Sequence, residues 1–133
     1  MIAADTNVLV RYVTNDDPVQ ARKAADLLAG QETVLIAHSV LLEMEWVLRA
    51  VYELPRPAIL KAMRQILGLR STHVEQAALI AETLDRYGRG FDFADALHLA
   101  LTAAASPFVT FDKRLVRAAQ ADGLEVVLLS AEQ

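Results

Sequence analysis

Short apolar runs alternate with longer amphipathic stretches along most of the chain. The short runs are bounded by polar residues, which is typical of buried strands, and lie at residues 2–4, 33–36, 108–110 and 125–129. A weaker strand pattern lies at residues 71–74, which are mostly polar. The longer stretches predict helices over residues 6–13, 18–28, 39–52, 58–67, 75–87, 92–105 and 112–121. Apolar strands that alternate with helices predict an α/β fold of three layers, α/β/α, with helices on both faces of a central parallel sheet.

Residues at the ends of these stretches support the same division. Asp17 followed by Pro18 is typical of a helix start, because Asp caps the free N–H groups and Pro suits the first turn. Gly30 and Gly123 are typical of helix ends. We expect Ser39 to cap the third helix.

Composition narrows the class of protein. The length of 133 residues predicts a single domain over residues 1–133, and 54% apolar residues exclude disorder. The chain has no cysteine, which excludes disulfides, thiolate catalysis and cysteine zinc sites and fits a reducing compartment. With neither a leader pattern nor an 18-residue apolar run, we expect a cytoplasmic protein without a membrane span. The net charge of −4 argues mildly against a nucleic-acid binder, although local basic clusters would suffice.

Two aspartates follow predicted strands. Asp5 comes directly after the first strand, and Asp112 follows the fourth after one intervening residue. The carboxyl ends of parallel strands meet at one edge of a sheet and are where ligands bind, so we expect both side chains at that edge. The ordinary role of either residue alone is to cap a helix. Two at equivalent positions favour a shared site.

Two more aspartates lie in the run Phe-Asp-Phe-Ala-Asp-Ala-Leu-His at residues 91–98. Asp92 and Asp95 are three apart and share a helix face. Asp92 is placed to cap this helix, whereas Asp95 already lies inside it. A buried carboxylate needs a counter-charge or a metal, and no Lys or Arg lies between Gly90 and Lys113. The partner of Asp95 must therefore come from elsewhere.

One helix carries two glutamates, which the pattern separates. Glu45 precedes Arg49 by four residues, which predicts an ordinary surface ion pair. Glu43 shares its face with the apolar residues Trp46 and Val47 and has no basic residue four positions away. A lone acid on an apolar face needs an explanation, which makes Glu43 the better candidate for a site.

Asp5, Glu43, Asp95 and Asp112 come from four segments, and we expect them to converge. Clustered carboxylates repel one another unless a cation neutralises them, and oxygen ligands suit Mg²⁺ or Mn²⁺. Such a site fits hydrolysis of a phosphodiester. We predict Asp5 and Asp95 as direct metal ligands, Glu43 as the residue that holds a water or acts as base, and Asp112 as a ligand of a second ion or through water.

Side chains near these acids can support them. Thr6, Asn7 and Thr110 offer hydrogen bonds to the acids or their ligands. His98 follows Asp95 by three residues, although a helical histidine is more often an ordinary polar residue. The three histidines lack metal-ligand spacing, which makes a zinc site unexpected.

Four segments carry a resemblance to a known family: Ala-Ala-Asp5-Thr-Asn, Ser39-Val-Leu-Leu-Glu43-Met-Glu-Trp-Val-Leu, Asp92-Phe-Ala-Asp95-Ala-Leu-His and Val109-Thr-Phe-Asp112-Lys-Arg-Leu. In this order and spacing they resemble the PIN-domain ribonucleases, specifically the small VapC-like toxins of toxin–antitoxin pairs. The resemblance covers nearly the whole chain. It implies a PIN-like fold, a homodimer, Mg²⁺- or Mn²⁺-dependent endonucleolytic cleavage of RNA, and inhibition by a cognate antitoxin. The family's catalytic acids fall on Asp5, Glu43, Asp95 and Asp112, while the role of Asp92 stays open.

An RNA substrate requires positive charge near the acids. The candidates for phosphate contacts are Arg11, Arg49, Arg86, Arg89, Lys113 and Arg114. Each is more ordinarily a solvated surface charge, and as a group they would make binding sensitive to salt.

Other functions use the same residues. A PIN-like nuclease that processes RNA or DNA without an antitoxin would need the same four acids. A phosphorylation-controlled receiver module has a similar size and class, but it needs paired acids after the first strand, where Asp5 stands alone. A PIN-like fold that only binds RNA would have no reason to keep a complete set of acids.

Overall fold

The computed structural model describes residues 1–129, in which one or two helices separate each of five strands from the next, seven helices in all. The strands are β1 (Ile2–Ala3), β2 (Val34–Leu35), β3 (Thr72–His73), β4 (Phe108–Thr110) and β5 (Val126–Leu128). The helices are α1 (Thr6–Thr14), α2 (Pro18–Ala29), α3 (His38–Ala50), α4 (Arg56–Leu67), α5 (Ala77–Gly88), α6 (Phe93–Leu101) and α7 (Lys113–Ala121). Every predicted strand and helix is present, so the predicted α/β class is confirmed.

All strand pairs are parallel, as predicted. One sheet has the order β1-β2-β3, with Ile2 opposite Val34 and Val34 opposite Thr72. A second sheet pairs β4 with β5, with Phe108 opposite Val126. The chain divides into two compact units, one over Met1–Ala77 and one that begins at Ala78, and each contains one of these sheets.

The first unit buries the apolar faces of α1, α3 and α4 and the side chains of β2. Helix α1 packs against α2 and α3, and α3 packs against α4. The fully buried side chains include Leu9, Val34, Ile36, Leu41, Met44, Leu48, Ile59 and Met63. Burial of each such side chain contributes roughly 1.5–3 kcal/mol to the stability of the fold. Because Leu9 of α1 belongs to this core, its burial helps to fix the position of α1 after β1.

The second unit has its own core cluster between α6, α7 and β5. Its buried members are Phe91, Ala96, Leu99, Leu115, Ala119 and Val126. Tyr87 and Phe93 meet edge to face, with ring centroids 5.4 Å apart and planes at 82°, a geometry that aromatic quadrupoles favour. This cluster holds the first turns of α6 and α7, which carry the acids of the unit.

The predicted helix ends are right in most places and wrong in two. Asp17 caps α2 with Pro18 in its first turn, and Gly30 ends it, as predicted. Gly123 follows the C-cap residue of α7, Asp122, and has a φ of 80°, a left-handed conformation that glycine adopts without strain. Ser39 is not a cap, because α3 already begins at His38 with Ala37 before it and no side-chain cap.

The acidic helix α6 is shorter than predicted. It ends at Leu101, whereas the apolar pattern predicts an end near Ala105. The hydroxyl of Thr102 donates to the carbonyl of His98 at 2.6 Å, and the following residues form turns. Alanine has high helix propensity, but a run of small residues buries too little area to continue a helix.

Within residues 1–129, no helix has both the length and the apolar character that crossing a membrane requires.

Candidate nuclease site

Three of the aspartates cap helices with one carboxylate oxygen. Asp5 Oδ1 accepts the N–H of the next residue at 2.7 Å, at the start of α1. Asp92 Oδ1 accepts an N–H at 3.0 Å at the start of α6, and Asp112 Oδ1 accepts two, at 2.9 and 3.2 Å, at the start of α7. Within residues 1–129 their Oδ2 atoms accept no hydrogen bond. Capping a helix and binding a ligand are therefore compatible roles for these side chains.

Thr6 links two of the predicted acids within the first unit. Its side chain is buried, with 3% exposure, and its hydroxyl donates to Glu43 Oε1. Its backbone N–H donates to Asp5. The predicted supporting role of Thr6 has a structural basis, whereas Asn7 is exposed and makes no hydrogen bond to either acid.

Glu45 is buried, which corrects the prediction of a surface ion pair. It lies on the core face of α3 with Leu41, Met44 and Leu48, and its side chain is 3% exposed. The pairing itself is confirmed, since Arg49 Nε donates to Glu45 Oε2 at 2.8 Å. The apolar residues at these spacings are the signal in the sequence that places Glu45 inside.

Glu43 lies on the opposite side of the same helix and is exposed. The apolar residues that share its face do not bury it, since Trp46 is itself 54% exposed. Its contact with Thr6 is what distinguishes it from an ordinary surface glutamate. Glu43 therefore remains the better candidate, for a reason other than burial.

In the second unit, three carboxylates line one cavity of about 270 Å³. They belong to Asp92, Asp95 and Asp112, and Arg114 lines the same cavity. Burial raises the pKa of Asp95 above its ordinary value, and the negative charges of Asp92 and Asp112 raise it further, while His98 opposes them. Within the described residues the carboxylate of Asp95 accepts no hydrogen bond. This carboxylate is therefore the one that gains most from a cation.

The donor chemistry of these side chains fits a hard cation, because carboxylate oxygens are the ligands that Mg²⁺ and Mn²⁺ prefer. Among residues 1–129, no three His, Cys, Asp or Glu side chains are arranged so that they could hold a metal ion. The assignment of Asp5 and Asp95 as metal ligands stays a prediction, as does the convergence of the four acids.

Four of the six basic residues predicted to contact phosphates are bound to carboxylates of the protein. Arg11 Nη1 lies 3.0 Å from Asp16 Oδ1, and Arg49 is bound to Glu45, as described above. Arg86 and Arg89 are both bound to one carboxylate and are described next. Within the described chain, Lys113 and Arg114 form no ion pair.

Asp122 is an acid that the sequence analysis missed. It accepts from Arg86 Nε at 2.9 Å and from Arg89, and these two arginines lower its pKa to about 2. Asp122 lies at the end of α7, far along the chain from both arginines, so no local pattern reveals the contact. Arg86 and Arg89, which were predicted to contact RNA, thus hold the end of α7 against the end of α5.

The structure also places Thr110 and the histidines that the sequence singled out. Thr110 Oγ1 accepts the backbone N–H of Asp112 at 3.0 Å, which fixes the turn between β4 and α7. His38 bonds the carbonyl of Glu75 at 2.7 Å, and His73 is exposed. His38 therefore has a structural contact within the protein, whereas His73 faces solvent.

A family model for the PIN domain matches residues 2–121, a range that contains all four predicted catalytic acids. The chain belongs to the PIN-domain family. The predicted PIN-like fold is therefore confirmed, and PIN-domain proteins are nucleases.

Among solved structures, this PIN-domain chain is similar to Mycobacterium tuberculosis VapC20, described as a sarcin–ricin loop cleaving toxin. The TM-score is 0.45 at 20% sequence identity, and the match covers 89% of this chain and 95% of VapC20. A comparison with curated proteins found no match. The family assignment rests on the PIN-domain model.

Proposed function

We propose that this PIN-domain protein is a metal-dependent endoribonuclease whose catalytic acids are Asp5, Glu43, Asp95 and Asp112. The observation that carries the proposal is that three carboxylates line one cavity in a chain of a nuclease family. The raised pKa of Asp95 supports it, because a carboxylate among like charges is stabilised when a cation binds.

Asp5 and Asp95 would hold Mg²⁺ or Mn²⁺, and Asp112 would contribute to a second ion or act through water. When bound, such an ion supplies an acidic water and stabilises negative charge on the phosphate. The caps leave Oδ2 of Asp5 and of Asp112 without a hydrogen bond in the described chain, so these oxygens are available as ligands.

Glu43 would act as the base, with Thr6 holding one of its oxygens. As the water oxygen forms its bond to phosphorus, Glu43 Oε2 takes the water proton. The bond from phosphorus to one ester oxygen of the RNA backbone breaks, and that oxygen takes a proton from solvent as it leaves. The hydroxyl of Thr6 limits the rotation of Glu43 and orients the base.

We further propose that the protein is the toxin of a toxin–antitoxin pair, a cytoplasmic homodimer inhibited by a cognate antitoxin. The support is the resemblance of its four motifs, in order and spacing, to the VapC-like toxins. Expression of the wild type should arrest growth of a bacterial host, and Asp5→Asn should not. Sedimentation of the purified protein should give the mass of a dimer.

The first test of the nuclease is cleavage of a pool of cellular RNAs by the purified protein with Mg²⁺, Mn²⁺ or EDTA. We expect discrete fragments that require metal and disappear in Asp5→Asn and Asp95→Asn, because Asn preserves shape and removes the charge. Asp26→Asn is the matched control, since Asp26 is exposed on α2 and its loss changes net charge equally. Cleavage by both site variants at the wild-type rate would refute the metal mechanism. Cleavage of DNA alone would identify the processing nuclease instead.

The two glutamates of α3 provide a second test with an internal control. Glu43→Gln should abolish cleavage and leave the unfolding midpoint unchanged, since the side chain is exposed. Glu45→Gln should lower stability by about 1–2 kcal/mol, because Arg49 loses its charged partner, and should leave cleavage of the folded protein unchanged. The reverse pattern would mean that Glu45 is the catalytic residue.

A further inference from the structure

Arg114 lines the acidic cavity of the second unit and is the one cationic side chain among the described residues that line it. It lies at the second position of α7, where its backbone N–H donates to Asp112 Oδ1 at 2.9 Å. Within residues 1–129 its guanidinium forms no ion pair with Asp92, Asp95, Asp112 or any other carboxylate. The arginine therefore shares a cavity with three acids without being bound to one.

Arginines elsewhere in this unit behave differently. Arg86 and Arg89 are both held by Asp122, close enough to lower its pKa to about 2. Arg114 forms no such ion pair within residues 1–129, although it lines a cavity together with Asp92, Asp95 and Asp112. Arg114 is therefore not in place to neutralise the acids of its own cavity.

The position of Arg114 is also unfavourable for its helix. The first turn of a helix carries partial positive charge and favours acids, yet α7 begins with Lys113 and Arg114. The cap by Asp112 offsets this in part. A residue that works against its local environment without a compensating contact is characteristic of a functional position.

The chemistry of the cavity selects the kind of ligand. Carboxylates bind cations, and a guanidinium binds the anionic oxygens of phosphates with a rigid fork of donors. A phosphodiester strand accompanied by a divalent cation satisfies both. A purely cationic ligand would be repelled by Arg114, and a purely anionic ligand would be repelled by the three carboxylates.

We propose that Arg114 binds a backbone phosphate of the RNA strand and is a substrate-binding residue of the cavity. This inference rests on the proposed nuclease function. A phosphate contact carries no base information, so Arg114 holds the strand in register for cleavage and does not select its sequence.

The test measures RNA binding apart from cleavage, with Mg²⁺ present and a fluorescein-labelled single-stranded RNA of 20 nucleotides. The full chain carries Glu43→Gln in every sample, so that the RNA is bound without being cleaved. Fluorescence anisotropy gives the affinity between 50 and 300 mM KCl. Arg114→Ala should weaken binding about 5- to 10-fold at low salt and reduce the salt slope by about 0.7, the value for one phosphate contact on a single strand. Arg114→Lys should restore part of the affinity, because it keeps the charge and lacks the rigid fork of donors.

Arg117→Ala is the matched control. Arg117 is exposed on the same helix, one turn further on, and does not line the cavity. Its replacement by Ala removes the same charge as Arg114→Ala. Arg117→Ala should change the RNA affinity less than 2-fold, because salt screens a charge that lies outside the cavity. Equal losses in Arg114→Ala and Arg117→Ala, or no loss in Arg114→Ala, would overturn the inference. If Arg114→Ala does not fold, Arg114→Gln provides the same comparison.

The outcomes separate the inference from the function on which it rests. If the wild type cleaves RNA with metal and the Arg114 variants bind and cleave as it does, the nuclease stands and the inference falls. If the wild type neither binds nor cleaves RNA with either metal, the proposed function falls and the inference falls with it.

Discussion

At the scale of single residues, Asp122 shows how two nearby cations change a carboxyl group. Its pKa of about 2 lies below the ordinary value of 3.8, so the folded protein binds its proton less tightly than the unfolded chain does. The stability that follows is fully present above about pH 4 and is lost as the pH falls towards 2.

Replacement of Asp122 by Asn should therefore lower the free energy of unfolding by roughly 1 kcal/mol at pH 7. The value is modest because Arg89 is more than half exposed and solvent screens the pair. Urea unfolding at several pH values should show the wild type and Asp122→Asn converge between pH 4 and pH 2. Asp26→Asn should match the wild type throughout, and a constant gap at all pH values would contradict the linkage.

Thr6 is the residue on which the geometry of Glu43 depends. Thr6→Val keeps the shape and removes the hydroxyl that Glu43 accepts from, so cleavage should fall by roughly 10- to 100-fold. The free energy of unfolding should fall by only about 1 kcal/mol, because the exposed carboxylate of Glu43 can bind water in place of the lost hydroxyl. Thr6→Ser should retain most of the activity. Measured kcat that is equal in Thr6→Val and the wild type would show that Glu43 needs no such positioning.

At the scale of elements, α7 combines a structural cap and a proposed catalytic acid in one side chain. Asn caps a helix about as well as Asp, whereas Ala does not. Asp112→Asn should therefore keep the unfolding midpoint and lose cleavage, while Asp112→Ala should lose cleavage and about 1 kcal/mol of stability. Chemical denaturation and the RNA assay on both variants check this. Full activity in Asp112→Asn would leave the residue as a cap alone.

The elements themselves are largely predictable from the sequence, because apolar periodicity reports which residues leave water. Asp17 with Pro18 marks a helix start by local chemistry, and the structure agrees. Ser39 fails as a cap because the chain already turns into α3 at His38, a consequence of how β2 leads into the helix. Local preferences are weak, and packing of the whole chain overrides them.

The site is less predictable than the fold because side-chain contacts depend on distant segments. The four acids are candidates from sequence since each follows a strand or lies within an apolar helix. The burial of Glu45 is opposite to the prediction, because the prediction used its spacing to Arg49 and not its spacing to the core residues Leu41, Met44 and Leu48. The commitment of Arg86 to Asp122 has no local signal at all.

At the scale of the whole molecule, a chain with a net charge of −4 is proposed to bind a polyanion. Four of the six basic residues predicted to contact phosphates are bound to acids of the protein, and of the other two, Lys113 and Arg114, only Arg114 lines the cavity within the described chain. Divalent cations would supply the remaining positive charge. RNA affinity should therefore depend on metal more strongly than in a basic protein.

Binding of Mg²⁺ should be visible in the stability of the protein without any substrate. The raised pKa of Asp95 means that its charged form is disfavoured in the folded state, so Asp95→Asn should be more stable than the wild type in EDTA at pH 7. That difference should shrink as the pH falls through the raised pKa, because the wild-type carboxyl then takes up its proton. Mg²⁺ at about ten times its Kd should stabilise the wild type by about 1.4 kcal/mol and leave Asp95→Asn unchanged. Thermal unfolding with Mg²⁺ and EDTA measures both effects, with Asp26→Asn expected to respond as the wild type does. An equal response to Mg²⁺ in Asp95→Asn would remove Asp95 from the metal site, because a ligand that is lost must weaken the binding of the ion it held.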